Sequence, residues 1–177
     1  RSRPAIMAAV GIALVLVAAV GVYRTLATEA GTVDAADLSR VLIVAAAPDD
    51  SGDVVGQIVL IADVTTSPAT LEPVSPALEV TIPGTTYSAL GDAYPFGGGA
   101  GTADALARTR DEDPLPYVAI DAEGLAQALE AAGTVELTLP ADMSVFDGED
   151  LFTFDAGTQR LAPAEVLAVL KGAPYLT

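Results

Sequence analysis

From Ala5 to Tyr23 the chain reads AIMAAVGIALVLVAAVGVY, nineteen residues without a charge. At about 1.5 Å of rise per residue, a helix of that length crosses a hydrocarbon layer roughly 30 Å thick. Arg1 and Arg3 before it and Arg24 after it give the short N-terminal side a weak inside bias. The run is read as a single transmembrane helix, with residues 1–4 as a cytoplasmic remnant and the rest of the chain outside the cytoplasm. A cleaved signal peptide is the nearest competitor, but its apolar core would be shorter, and Thr28-Glu29-Ala30 is a poor small-x-small cleavage site. A buried soluble helix fits less well, because Gly11, Gly21 and the several valines carry little helix propensity outside lipid.

The full sequence of 177 residues suits one ordinary domain. It has no cysteine and no histidine, which excludes disulfides, thiolate zinc sites, cysteine nucleophiles and histidine-dependent triads or metal ligands. Acidic residues number 24 against 8 basic ones. Beyond residue 30 the counts are 23 and 5, a formal charge near -18, so the acid belongs to the soluble part. That balance excludes a nucleic-acid partner, whose phosphates need a basic footprint. The acids are spread from Asp34 to Glu165, the pattern of a solvated surface more than of a single acidic tail.

Residues 24–39, rich in Ala, Thr, Gly and Asp, read as a linker, and residues 40–177 as the extracytoplasmic domain. Val41–Ala47 (VLIVAAA) and Ile58–Ala62 (IVLIA) are continuous apolar runs, as expected of strands covered on both faces. Leu78–Ile82 (LEVTI), ended by Pro83-Gly84, reads as another strand, and Tyr94–Gly101 as a flexible loop leading into a short helix over Thr102–Arg110. The glycines of that loop do not make a phosphate cradle of known type, since no Gly-Lys-Ser/Thr follows and no long parallel strand precedes. Further on, Tyr117–Ile120 is strand-like and Asp121 is placed to cap a helix with Leu125, Ala128, Leu129 and Ala132 at helical spacing before Gly133. Val135–Leu139 alternates as an exposed or edge strand, stopped by Pro140. A last helix runs from Pro163 to Gly172, with Val166, Leu167 and Leu170 inward. The expected fold class is α/β: three-layer α/β/α with a mixed central sheet, preceded by the single transmembrane helix.

Several segments resemble the LytR-CpsA-Psr (LCP) family. They are Tyr117-Val-Ala-Ile-Asp-Ala-Glu-Gly-Leu125, Leu129-Glu-Ala-Ala-Gly133, Val135-Glu-Leu-Thr-Leu-Pro140, and Gly157-Thr-Gln-Arg-Leu161 ahead of Leu167-Ala-Val-Leu-Lys171. Asp92-Ala-Tyr94, followed by Phe96-Gly-Gly98, is similar to the family's Asn-Ala-Ala-Tyr and Gly-Gly segment. The resemblance covers roughly residues 40–173 and is positional before residue 92. It implies a membrane-anchored, extracytoplasmic α/β/α fold of Gram-positive bacteria. It also implies transfer of glycopolymers from a polyprenyl-pyrophosphate carrier to peptidoglycan, with Mg2+, an arginine-rich pyrophosphate pocket and an apolar cavity for the lipid. The family continues past the position of Thr177 through a further helix and strand, so the expectation is a truncated domain, an abbreviated fold or one that a partner completes.

At the positions that would carry this chemistry the chain departs from the pattern. Ala47 stands where the family has an aspartate, Asp49 near its arginine, and Val55 at its second metal-side aspartate, with Asp53 the nearest substitute. Ser75-Pro76-Ala77 replaces Pro-Arg-Asp, Ala89 replaces a lysine, and Lys171-Gly172-Ala173 replaces the closing Arg-x-Arg. Pyrophosphate needs guanidinium groups and a divalent ion held by hard carboxylate oxygens. No catalytic, cofactor-binding or metal-binding residue is therefore assigned. The expected role is that of a degenerate module in a cell-envelope complex, binding a cell-envelope membrane protein or a polyprenyl lipid without a cofactor. The alternative is a divergent Mg2+-dependent phosphotransferase using Asp49, Asp50 and Asp53 for the ion and Lys171 for phosphate.

Other side chains carry two readings each. Lys171 can meet a phosphate or complement the helix dipole. Arg108 and Arg110 are expected to pair with the neighbouring Asp111-Glu-Asp113, and Gly157 and Gln159 to serve the fold or the pocket. Asp63 follows a strand and serves either a site or a turn. Tyr94 and Phe96 are expected to pack in the core, the alternative being the lining of a lipid cavity.

Overall fold

The structure, a computed structural model, describes residues 29–30, 39–63, 70–139, 141–146 and 148–172. The run read as a transmembrane helix, 5–23, lies outside them; among the described residues no helix is long and apolar enough to cross a membrane. The two apolar runs become β2 (Arg40–Pro48) and β3 (Val54–Asp63), an antiparallel hairpin. β4 (Thr70–Val74) pairs antiparallel with the outer side of β3, where Pro73 is tolerated because the strand is an edge. On the other side β5 (Tyr117–Asp121) lies parallel to β2, and β1 (Glu29–Ala30) pairs antiparallel with β5. The mixed sheet runs β1-β5-β2-β3-β4.

Successive side chains of a strand point to opposite faces, and both faces of this sheet are covered, which is why β2 and β3 read as unbroken apolar runs. Ile43, Ala45, Ile58 and Leu60 face one cluster with Leu125, Leu129, Val166 and Leu170. Leu42, Val44, Val59 and Ile61 face another with Leu90, Ala103 and Leu106. The fold is mixed α/β, with helical segments on each side of the sheet.

Leu78–Ile82 is not a strand of this sheet. A single bridge joins Glu79 to Ala89, with Val80 N donating to Ser88 O at 2.7 Å. The run is bounded by Pro76 and Pro83, too short for a ladder, and it delivers Val80 and Ile82 to the second cluster instead. Tyr94–Gly101 is likewise not a loop. A 3-10 helix, Leu90–Ala93, leads into α1 (Tyr94–Arg110), which absorbs the glycines and the expected short helix. Only Gly98 departs from helical geometry, at φ 59° and ψ -151°, a conformation open to glycine alone, and Thr102 Oγ1 bridges the break by donating to Gly98 O at 3.1 Å. Burial of Ala103, Ala105 and Leu106 outweighs the poor propensity of the glycine run.

In the C-terminal third, the helix that Asp121 opens, the strand Val135–Leu139 and the last helix follow the sequence closely, and a hairpin over 143–154 is added to them. Asp121 caps α2 (Ala122–Ala132) by accepting from Gly124 N at 2.6 Å, and Gly133 ends it at φ 71°. β6 (Val135–Leu139) pairs antiparallel with β9 (Gly157–Leu161) in a separate two-stranded sheet. β7 (Met143–Phe146) and β8 (Leu151–Phe154) form a second hairpin, and α3 (Pro163–Gly172) closes the described chain. Leu137, Leu139, Met143, Phe154 and Leu161 feed the first cluster.

Candidate functional site

The site is built at the tip of the β2–β3 hairpin. A bulge falls where Ala45 pairs with Ile58 but Ala46 with Gly56, leaving Gln57 out of the ladder. Bulges re-aim side chains, and here the Gln57 amide turns to donate to Pro48 O at 2.9 Å. In the turn beyond, Asp49 Oδ1 accepts from Ser51 N at 2.8 Å, Ser51 Oγ at 2.7 Å and Asp53 N at 3.0 Å. The Ser51 hydroxyl holds the Asp49 carboxyl below its usual range; desolvation, the next largest influence, opposes it, and the backbone amides of Ser51, Asp53 and Gly52 add to the lowering.

Next to this tip lies an open cavity of about 870 Å3. Its floor is a close approach of two backbones, Gly56 of β3 and Gly91 of the 3-10 helix. A Cβ on Gly91 would stand 2.7 Å from Gly56 O and 3.4 Å from the Pro76 side chain. Gly91 N donates to Pro76 O at 2.8 Å and fixes the approach. The far wall is the strand Met143–Phe146, and the C-terminal turn of α3 brings in Lys171 and Gly172.

Several positions singled out by the family resemblance converge here. Asp49, Val55, Pro76, Ala77, Ala89, Lys171 and Gly172 all line the cavity, as do Asp50 and Asp92. Asp53 stays in the turn, where its carboxylate accepts from Ser51 Oγ at 3.3 Å. Asp142, not anticipated from the sequence, also lines the cavity while accepting from Ala156 N at 2.7 Å. Among the described residues, four aspartates and one lysine line the space, and no arginine does. Lys171 makes no ion pair among the described residues.

The donor set does not suit Mg2+. Oδ1 of Asp49 is already committed to three donors of its own turn, and the described residues contain no group of three or more acidic side chains placed to hold an ion. Mg2+ demands near-octahedral oxygen ligands, and an acid that staples a β-turn is poorly free to supply one.

The remaining candidates lie elsewhere. Asp63 is the last residue of β3, opposite Arg40 and Thr70 in register, at the other end of a strand about 30 Å long by the usual rise per residue. Arg110 pairs with Glu72 at 2.8 Å and Arg108 with Asp104 at 3.8 Å. Both arginines are thus surface partners of acids, but not of the run 111–113; Glu112 of that run meets Arg40 at 3.6 Å. Tyr94 packs against the second cluster. Phe96 does not; it is 53% exposed and leans on Tyr87, ring centroids 5.5 Å apart. Gly157 and Gln159 belong to β9, where the Gln159 amide donates to Asp155 O. Asp142 and the β7–β8 hairpin were missed, although Asp147-Gly148 between two short apolar runs is a hairpin signal.

This mixed sheet with helices on its faces has counterparts among solved proteins: the chain has an LCP-like fold. The structure of TagT bound to LIIa-WTA superposes with a TM-score of 0.53 at 17% identity, over 85% of this chain and 64% of that one. The LytR-CPS2A-psr family protein YwtF (TagT) with bound octaprenyl pyrophosphate lipid gives 0.52 at 17% identity, over 85% and 66%. TagV of B. subtilis gives 0.48 at 19%, over 73% and 53%. The chain thus spans about 64% of the length of the first of these proteins, and at such identities the likeness is one of fold. No protein-family model and no curated protein sequence matches the chain.

Proposed function

We propose that this chain is a membrane-anchored, catalytically degenerate LCP-like module of the cell envelope, of three-layer α/β/α build, acting through binding to a protein partner or a polyprenyl lipid. Residues 5–23 serve as the anchor, and the domain works outside the cytoplasm. The observation that carries the reading is the charge of the cavity. Among the described residues it holds Asp49, Asp50, Asp92 and Asp142 against Lys171 alone. A pyrophosphate entering it meets like charge, where phosphoryl transfer needs cationic groups preorganised around the developing charge. One lost contact of that kind costs about 3 kcal/mol, roughly a hundredfold in rate, and Lys171 cannot supply what several arginines and a bound metal supply together. The structure of TagT with octaprenyl pyrophosphate supports keeping a polyprenyl chain among the ligands to test.

The alternative is a divergent Mg2+-dependent phosphotransferase: Lys171 shares the cavity with Asp49 and Asp50, although Asp49 is already committed to its own turn. An assay of Mg2+-dependent glycan transfer from a polyprenyl-pyrophosphate donor to peptidoglycan decides between them. The expected result is no turnover above background; turnover near that of an active LCP enzyme refutes degeneracy. Co-purification from native membranes in mild detergent then separates the two binding modes, since a stoichiometric protein and a retained polyprenyl lipid are distinct products.

A further inference from the structure

The cavity opens beside apolar side chains that the core does not use. Phe146 lines its rim and is 66% exposed. Across the β7–β8 ladder it is paired in register with Leu151, 68% exposed. On the facing hairpin, Val54 is 46% exposed beside Val55 of the cavity wall. Single exposed apolar residues are ordinary, but a register pair of large ones at a hairpin tip, adjoining a cavity of about 870 Å3, is a surface shaped for contact. Ligand pockets occupy roughly 300–1,000 Å3.

The charge of the cavity selects what can fill it. Asp50 and Asp92 have no side-chain hydrogen bond or ion pair among the described residues, so both carboxylates are available to an incoming cation. Asp49 is held in place by its own turn and Asp142 by Ala156 N beyond the β7–β8 hairpin, and both add fixed negative charge. The net charge of -16 steers cations toward the domain and disfavours anionic lipid and phosphate.

We infer that the cavity and the Phe146–Leu151 tip form a docking site for a partner-protein segment carrying Lys or Arg beside apolar side chains, the cations entering the cavity and the apolar groups covering the tip. The inference rests on the reading of the chain as a non-catalytic binding module and gives that module's partner a chemistry.

The test uses the full chain in mild non-ionic detergent and three labelled peptides, with alternating Lys and Leu, Glu and Leu, or Lys and Ser, read by fluorescence anisotropy against detergent alone. The Lys–Leu peptide is expected to bind saturably and the other two weakly or not at all. Asp50→Asn with Asp92→Asn is expected to weaken it about five-fold, the scale of two partly exposed ion pairs, and raised salt to do the same. Phe146→Ser with Leu151→Ser is expected to weaken it comparably. Lys171→Glu removes the competing cation found among the described lining residues and is expected to tighten binding, a gain that misfolding cannot mimic. Binding that ignores both variant pairs, or equal binding of the Glu–Leu peptide, overturns the inference. So does displacement of the Lys–Leu peptide by polyprenyl pyrophosphate that itself binds more tightly, a result that leaves a lipid-binding module standing. Only turnover in the transferase assay strikes the non-catalytic reading itself.

Discussion

Replacing Gly91 by alanine tests the backbone approach that makes the cavity floor. The added methyl group would meet Gly56 O at 2.7 Å, closer than a Cβ approaches backbone in folded proteins. The obstacle is a carbonyl of the β2–β3 hairpin, which cannot swing aside as a side chain would. The Pro76 side chain at 3.4 Å closes a second direction. Overpacking of this kind costs about 1–3 kcal/mol, while exchanging glycine for alanine returns about 0.4–1 kcal/mol through the unfolded chain. The net expectation is a loss of roughly 0.5–2 kcal/mol. Gly97 provides the control: it sits in α1 and an added Cβ meets nothing within 4 Å, so Gly97→Ala is expected to stabilise by about 0.4–1 kcal/mol. Urea unfolding followed by circular dichroism reads both, with unchanged m-values showing that the unfolded reference is the same. If Gly91→Ala stabilises as much as Gly97→Ala, the close approach, and with it the cavity floor, is wrong.

Asp121→Ala removes the α2 cap to Gly124 N and is expected to cost about 1 kcal/mol, measured in the same unfolding experiment; a neutral effect would mean that the cap is not formed. Because the Asp49 carboxyl lies below its usual range when folded, its contribution to the turn is fully present above its unfolded pKa and is lost as pH falls through the folded value. A carboxyl-carbon NMR titration is expected to place its midpoint below 3.8, and a midpoint at or above that value would refute the hydrogen-bonded turn. Arg110 and Glu72, 24% and 49% exposed and 2.8 Å apart, are expected to show a coupling of about 0.2–1 kcal/mol in a double-mutant cycle, reduced by salt; a salt-independent coupling would contradict its exposure.

The readings that held were those in which local signal and tertiary demand agree. Asp121, the spacing of Leu125 and Leu129, and Gly133 state the start, inner face and end of α2 within one stretch of sequence, and the structure follows each. The unbroken runs of β2 and β3 announced cover on both faces. What local pattern could not state was partner choice. LEVTI has strand composition, yet the flanking prolines leave it no ladder, and packing uses it as a lid on the second cluster. The glycines of Tyr94–Gly101 predict a loop by propensity, and a buried helical face overrides them. The cavity was half legible: the family resemblance named Asp49, Val55, Ala89 and Lys171, but the spacing of those residues along the chain gave no sign that Asp142 would join them. Its carboxylate reaches the cavity through a hairpin that carried no reading at all.

The parallel pairing of β2 with β5 also bears on how the chain acquires its fold. Leu42 lies in register with Tyr117, so β3, β4, the Ser75–Ala89 segment and all of α1 must be made before β2 can fill its second side. Closure over that distance is entropically slow beside the local β2–β3 hairpin. During synthesis β2 and β3 therefore pair early, while the other flank of β2 waits with its carbonyl and amide groups unclaimed along one of the most apolar stretches of the domain. Until Tyr117–Asp121 arrives, that flank is the place where a second nascent chain can add itself in place of β5.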